Sequence, residues 1–313
     1  MTAIVNALSV DVEDYFQVSA FDEVVSRAEW DGFESRVDVN TRRLLDMFDR
    51  RGVKATFFML GWVAERHPDL VVEIHRRGHE VASHGYAHRM ITQSSPAEFR
   101  QEIRQTKAVL EDMIQAPVIG FRAPSFSITQ QTEWALEILA EEGFRYDSSI
   151  FPIRHDRYGI PRAERFPYVI RYGDRALHEF PMSTVDVFGL TNLPVSGGGY
   201  LRWLPLWTTR WGIRRINEHD RRPAVLYLHP WEIDVDQPRI RAGLRSRLRH
   251  YRNLKTTTPR LEALLATFRW DTVRAVLGLA VDGELSTAPA FGHPIGRTVP
   301  VDPHARPSAV PTG

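Results

Sequence analysis

The chain has 313 residues, 43% of them hydrophobic and 25% charged, with no cysteine. That composition is globular and long enough for one barrel-sized domain or two smaller ones, and it excludes a disulfide framework, an iron–sulfur cluster and a thiol nucleophile. A formal net charge of +1 supplies no whole-molecule attraction for nucleic acid, and no apolar run approaches the ~18 residues of an integral membrane segment.

The opening MTAIVNALSVDVEDYF has no basic leader and no apolar h-region, and a cytoplasmic location is expected from it. From there to about residue 150, short apolar runs alternate with stretches of helical period, the pattern of a βα-repeating fold with a parallel sheet or barrel. NALSV (6–10) reads as the first strand. Leu44, Leu45, Met47 and Phe48 give one helix face, Gly52 ends that helix, and KATFFML (54–60) follows as a buried strand. PDLVVEIHRRG is the next helix and HEVAS the next strand. Ser95, Pro96 and Glu98 form a capping box that opens a helix running to about Gln115. PVIGF is then a strand, TQQTEWALEILAEEG a helix closed by Gly143, and FRYDS another strand. Past residue 150, YVIRY and ALHEFPM suggest a hairpin, PAVLYLH (223–229) a late strand, and TTTPRLEALLATF a helix. The remainder from about 285 is Pro-rich and unpatterned, and is expected to be disordered.

In a βα fold the C-terminal ends of the strands converge on one mouth, and reactive residues collect there in this sequence. The first strand ends in Asp11, Glu13 and Asp14, the third in His84 and His88, the fourth in Arg122, the fifth in Asp147 and a late one in His229. The four-residue spacing of His84 and His88 would put both imidazoles on one face of a helical turn. His75 and His79 share that spacing but straddle Gly78 at a helix end, and no role is assigned to them. Two imidazoles and one carboxylate leave a zinc-like ion open positions for water and a substrate oxygen. Trp203, Trp207 and Trp211 read as a buried helix stripe, and SGGGY (196–200) as a flexible loop. RWGIRRINEHDRR reads as a solvated helix face.

Taken in order, these motifs resemble those of the NodB-homology polysaccharide deacetylases, carbohydrate esterase family four. The acidic motif is Asp11-Val12-Glu13-Asp14, the histidine motif His84-Gly85-Tyr86-Ala87-His88, and Arg122-Ala123-Pro124, Tyr146-Asp147-Ser148-Ser149 and Leu226-Tyr227-Leu228-His229 complete the set. DVEDYF, FRAPSFSI, YDSSIFP and HPWE are further similar to a branch found beside exopolysaccharide and exosortase gene clusters, which carries an extra C-terminal segment. The resemblance implies an α/β fold, a distorted (β/α) barrel over 1–235, with a helical extension packed on it over 236–284 and the tail at 285–313. It also implies hydrolysis of N-acetyl groups on a polysaccharide or its precursor in exopolysaccharide biosynthesis. The partners implied are an N-acetylated glycan substrate and, peripherally, a membrane polysaccharide machinery.

By the same resemblance His84, His88 and either Glu13 or Asp14 hold one divalent metal, zinc ahead of cobalt or nickel. Asp11 is the general base, held in place by Arg122. His229 is the acid, oriented by Asp147. Pro124, the backbone N–H of Ser125 and Trp231 face the substrate. Two other readings stay open: a hydrolase of small cyclic amides or ureides on the same barrel, and a non-catalytic glycan-binding protein. An extended cleft favours the glycan, and a closed pocket the small molecule.

Overall fold

The structure is a computed structural model that describes residues 4–155 and 157–280 and the backbone of a short strand at 295–298. Its main sheet is built from β1 (Val5–Val12), β2 (Thr56–Met59), β3 (Glu80–Ser83), β4 (Gly120–Phe121) and β5 (Tyr146–Asp147), followed in sequence by the hairpin β6 (Tyr168–Tyr172) and β7 (Arg175–Glu179). A separate two-stranded ribbon, β8 (Thr184–Val187) with β9 (Thr191–Pro194), precedes β10 (Val225–Leu228), β11 (Arg269–Asp271) and β12 (Ile295–Thr298). The hydrogen-bonded order is β10-β1-β2-β3-β4-β5-β7-β6-β12, with β11 beside the first half of β1, and every pairing in this sheet except β6 with β7 is parallel.

The sheet bends into a distorted barrel because irregular extended chain bridges the gap between β5/β7 and β10. Phe180 N donates to Asp147 O and Met182 N to Ile150 O; Val195 N then donates to Ser183 O, and Tyr227 N to Ser196 O. Gly197 sits at this closure with φ +118°, and a Cβ there would fall 2.1 Å from the Tyr227 carbonyl oxygen, so the close backbone approach needs glycine. The segment expected as a loop is therefore half barrel wall and half helix, since Gly198–Trp203 is helical.

The strand residues are buried on both faces, as parallel strands covered by helices must be, which explains their continuous apolar runs. The helix Val37–Arg51 buries Leu44, Leu45, Met47 and Phe48, each side chain stabilising by roughly 1.5–3 kcal/mol, and ends at Gly52 with φ +63°. The helix Pro96–Ile114 begins with the expected box: Glu98 N donates to Ser95 Oγ (3.3 Å) and Ser95 N to a Glu98 carboxylate oxygen (2.8 Å). His79 is buried and accepts from Ala55 N (3.1 Å), while His75 stays on its helix.

Three expectations change. The C-terminal segment holds helices Leu244–Tyr251 and Leu254–Leu265, yet it also contributes β11 to the main sheet. Within the supposed tail, Ile295–Thr298 runs parallel to β6; the rest of 285–313 lies outside the described residues. Trp203, Trp207 and Trp211 are 41%, 67% and 43% exposed, so this stripe faces away from the core. Trp203 ends the helix Gly198–Trp203, whereas Trp207 and Trp211 lie on the next one, Leu206–Arg214, so the four-residue spacing does not run along a single helix.

Candidate metal centre and active site

β1 delivers Asp11 from inside the strand and Glu13 just past its end, both buried. The β3 strand ends at Ser83, and the chain leaves it as a loop rather than a helical turn, with Gly85 at φ +74° and His88 at φ +49°. That correction does not separate the two histidines, because their rings still lie 5.5 Å apart. The backbone of the turn is pinned from outside: Arg27 donates to the carbonyls of Ala87 (2.6 Å) and His88 (3.0 Å), and Tyr86 N donates to Glu102 (2.8 Å).

Glu13, His84 and His88 each present one ligand atom, all within 4.8 Å of one another. His84 Nδ1 is 2.8 Å from the Arg122 carbonyl, which can only accept, so Nδ1 carries the hydrogen and Nε2 is left as a lone-pair donor. Burial lowers the His84 pKa to about 4, which keeps the ring neutral at pH 7. Glu13 is held ionised: burial acts to raise its pKa, but His88 and His229 outweigh that and lower it to about 2. Its Oε2 lies 2.8 Å from His88 Nε2 yet is a buried oxygen without a hydrogen bond among the described residues. A carboxylate oxygen and two imidazoles converging in this way fit a divalent cation such as zinc.

Asp14, the other ligand expected at this motif, is corrected. Its carboxylate points back to the helix Val37–Arg51, accepting from Arg36 N (2.8 Å), Val37 N (3.1 Å), Ser35 Oγ (2.8 Å) and Tyr15 N (3.0 Å). It satisfies the free N–H groups of a helix start and has no oxygen in the metal cluster.

Arg122 is fully buried and every arm of its guanidinium is used: Nη1 donates to Asp11 Oδ1 (2.7 Å) and Ser9 Oγ (2.8 Å), Nη2 to Ser148 Oγ (2.9 Å), and Nε to Ser148 O (2.9 Å). This fixes Asp11, whose Oδ2 faces His229 Nε2 at 3.9 Å. Pro124 is buried, and Ser125 takes a left-handed conformation with φ +55° just past it.

Asp147 does not orient His229. Its Oδ1 accepts from Ser149 Oγ (2.6 Å) and its other neighbour is Glu179, whose pKa burial and Asp147 together push well above the carboxylate range. The partner of His229 is Glu232, three residues later: Glu232 Oε1 lies 2.6 Å from His229 Nδ1, and Glu232 Oε2 accepts from buried Arg202 Nε (2.7 Å). Arg202 in turn donates to the carbonyls of Arg249, His250 and Arg252, tying this relay to the C-terminal segment. Burial alone would discharge His229, but Glu13 and Glu232 raise its pKa to about 9.

Trp231 is also corrected as a substrate contact. It is 5% exposed and sandwiched between His229 (centroids 5.2 Å) and His250 (4.0 Å), with Nε1 directed at Glu13 Oε1 (3.4 Å). Loops that follow β1, β3, β4 and β5 line an open groove of about 630 Å³, with Asp22, Gln93, Thr129, Gln131 and Arg157 among its residues and Asp11, Glu13, His84, His88 and His229 outside its lining.

A family model described as polysaccharide deacetylase matches residues 27–146. Residues 27–146 are therefore similar to a polysaccharide deacetylase domain. A second model, a domain of unknown function called DUF3473, matches residues 148–278. The chain is 34% identical over 98 residues to a peptidoglycan-N-acetylglucosamine deacetylase of Bacillus cereus, covering 31% of this chain and 36% of that protein. It is 27% identical over 137 residues to a peptidoglycan deacetylase of Helicobacter pylori, covering 44% of this chain and 42% of that one. It thus spans well under half the length of these curated relatives. A candidate polysaccharide deacetylase of Mycobacterium smegmatis shares the fold, with a TM-score of 0.55 and 22% identity over 92% of this chain and 96% of that one. The span matched by the deacetylase model holds His84, His88 and Arg122; Asp11 and Glu13 precede it, and His229, Glu232 and Arg202 fall in the DUF3473 span.

Proposed function

We propose that this protein hydrolyses N-acetyl groups on an N-acetylglucosamine-containing polysaccharide or its precursor with the help of one divalent metal, zinc ahead of cobalt or nickel. The observation that carries the reading is the convergence of Glu13, His84 and His88 beside a base and an acid already held in place, Asp11 by Arg122 and His229 by Glu232. A glycan-binding module has no use for that set. The metal would supply a Lewis acid that polarises the acetamide carbonyl and makes water a stronger acid.

The chain's own groups do the rest. Asp11 Oδ2 accepts the proton of the attacking water, with Oδ1 kept occupied by Arg122 so that the carboxylate cannot swing away. His229 Nε2, with Nδ1 held by Glu232, delivers a proton to the departing amine, which cannot leave as an anion. The backbone N–H of Ser125 is proposed to meet the developing oxyanion.

An open groove lined by amides, hydroxyls and charged groups suits an extended sugar chain better than a small cyclic amide, which needs enclosure. The names of the curated relatives point to N-acetylglucosamine units. Placement in exopolysaccharide synthesis, beside a membrane polysaccharide machinery, rests on the DVEDYF, FRAPSFSI, YDSSIFP and HPWE stretches. The test is acetate release from N-acetylglucosamine oligomers by chelator-stripped protein before and after zinc is restored. Release that returns with zinc and is absent in Asp11→Asn supports the reading; zinc-independent release, or none with the metal bound, defeats it.

A further inference from the structure

The charge of this chain is segregated. Residues 197–217 and 237–261 hold twelve Lys and Arg and neither Asp nor Glu, although the whole chain is nearly neutral at +1. Residues 197–217 also carry the exposed stripe of Trp203, Trp207 and Trp211, and the helix Leu244–Tyr251 exposes Leu244 (79%) and Leu248 (47%) at the same four-residue spacing. The two segments meet, since Arg252 lies 4.4 Å over the Trp203 ring and Arg202 donates to the carbonyls of Arg249, His250 and Arg252. Among the described residues no ion pair neutralises the exposed arginines of the second segment at 241, 245, 247 or 249. Indole rings and leucines interleaved with arginines that no carboxylate engages match the interface of a bilayer, where tryptophan lies at headgroup depth, leucine enters the acyl boundary and arginine meets phosphate.

We propose that this arginine- and tryptophan-bearing face docks on an anionic lipid bilayer. An acidic glycan would answer to the arginines and could stack on the indoles, but it gives no reason for the exposed leucines, which lipid acyl chains accept. The face adjoins the site: Trp203 follows Arg202, which holds Glu232, and Arg249 reaches His155 at the groove (3.0 Å). Docking there brings the mouth of the groove next to substrate displayed at a membrane surface. This inference stands on surface chemistry and does not depend on the reaction assigned above.

The test is sedimentation of the full chain with vesicles of phosphatidylcholine alone or mixed with phosphatidylglycerol. Binding is expected only with the anionic lipid, weakened by salt, and at least about tenfold weaker in Trp207→Ser/Trp211→Ser and in Arg245→Gln/Arg247→Gln. Circular dichroism checks that both variants fold. Should either fail to fold, quenching of the native protein's tryptophan fluorescence by brominated phosphatidylglycerol reads the same contact, and its absence overturns the proposal. So does equal binding to both vesicles, or capture by soluble polygalacturonate with no partition to lipid, which assigns the face to an acidic glycan.

Discussion

Glu232 Oε1 lies 2.6 Å from Nδ1 of His229, its neighbour three residues earlier, and the other oxygen of the same carboxylate takes the Nε–H of Arg202. The imidazole is thus held by a carboxylate that is itself anchored to a buried cation. Replacing Glu232 with Gln keeps the shape and removes the charge, so turnover should fall by about 10²–10⁴-fold while the protein retains its metal. Glu232→Ala should behave differently. Both changes leave the buried Arg202 guanidinium without a carboxylate, but Gln still offers its Nε an acceptor oxygen while Ala offers none, so Ala should lose the more stability, about 3–5 kcal/mol read from the denaturant midpoint.

Glu13 and Asp14 are adjacent carboxylates with separate tasks. Asp14→Ala removes the acceptor for the first N–H groups of the helix Val37–Arg51, and should destabilise by about 0.5–2 kcal/mol while the purified protein still holds one equivalent of metal. Glu13→Gln should show the reverse, with metal content lost by elemental analysis and the fold kept.

In the metal-free protein His229 also links stability to pH. Burial disfavours its charge, but Glu13 and Glu232 raise the folded pKa to about 9 against an ordinary 6.5. A raised folded pKa means that the folded state binds the proton more tightly than the unfolded chain. The stabilisation is complete below about pH 6.5 and is lost as pH rises through 9. Denaturant midpoints of chelated protein between pH 6 and 10 should decline across that window, and the decline should shrink in Glu13→Gln.

The strand ends were legible in the sequence because continuous apolar runs and capping signals locate buried parallel strands, and the barrel geometry gathers whatever follows them. His84, His88, Arg122 and Asp11 come together on that account. What the sequence left open is decided by contacts between distant segments. Glu13 and Asp14 are equally acidic and adjacent; only the position of the helix start 22 residues later assigns Asp14 to Arg36 N. Asp147 also ends a strand, but Glu179 and Ser149 engage it inside the wall. Glu232 carried a readable signal, an acidic residue at the third position of a turn beginning at His229, which is the spacing of a capping box. The tryptophans at 203, 207 and 211 were misread because the break at Leu204 and Pro205 divides them between two helices, and because periodicity does not report what covers a face.

The central claim, that one metal at Glu13, His84 and His88 supports amide hydrolysis by Asp11 and His229, is tested most directly by titrating chelator-stripped protein with zinc while acetate release from an N-acetylglucosamine oligomer is followed in the same sample. Activity should rise in proportion to added zinc and level off at one equivalent. Release that is unchanged by stripping, or that stays absent when one equivalent is bound, would contradict it.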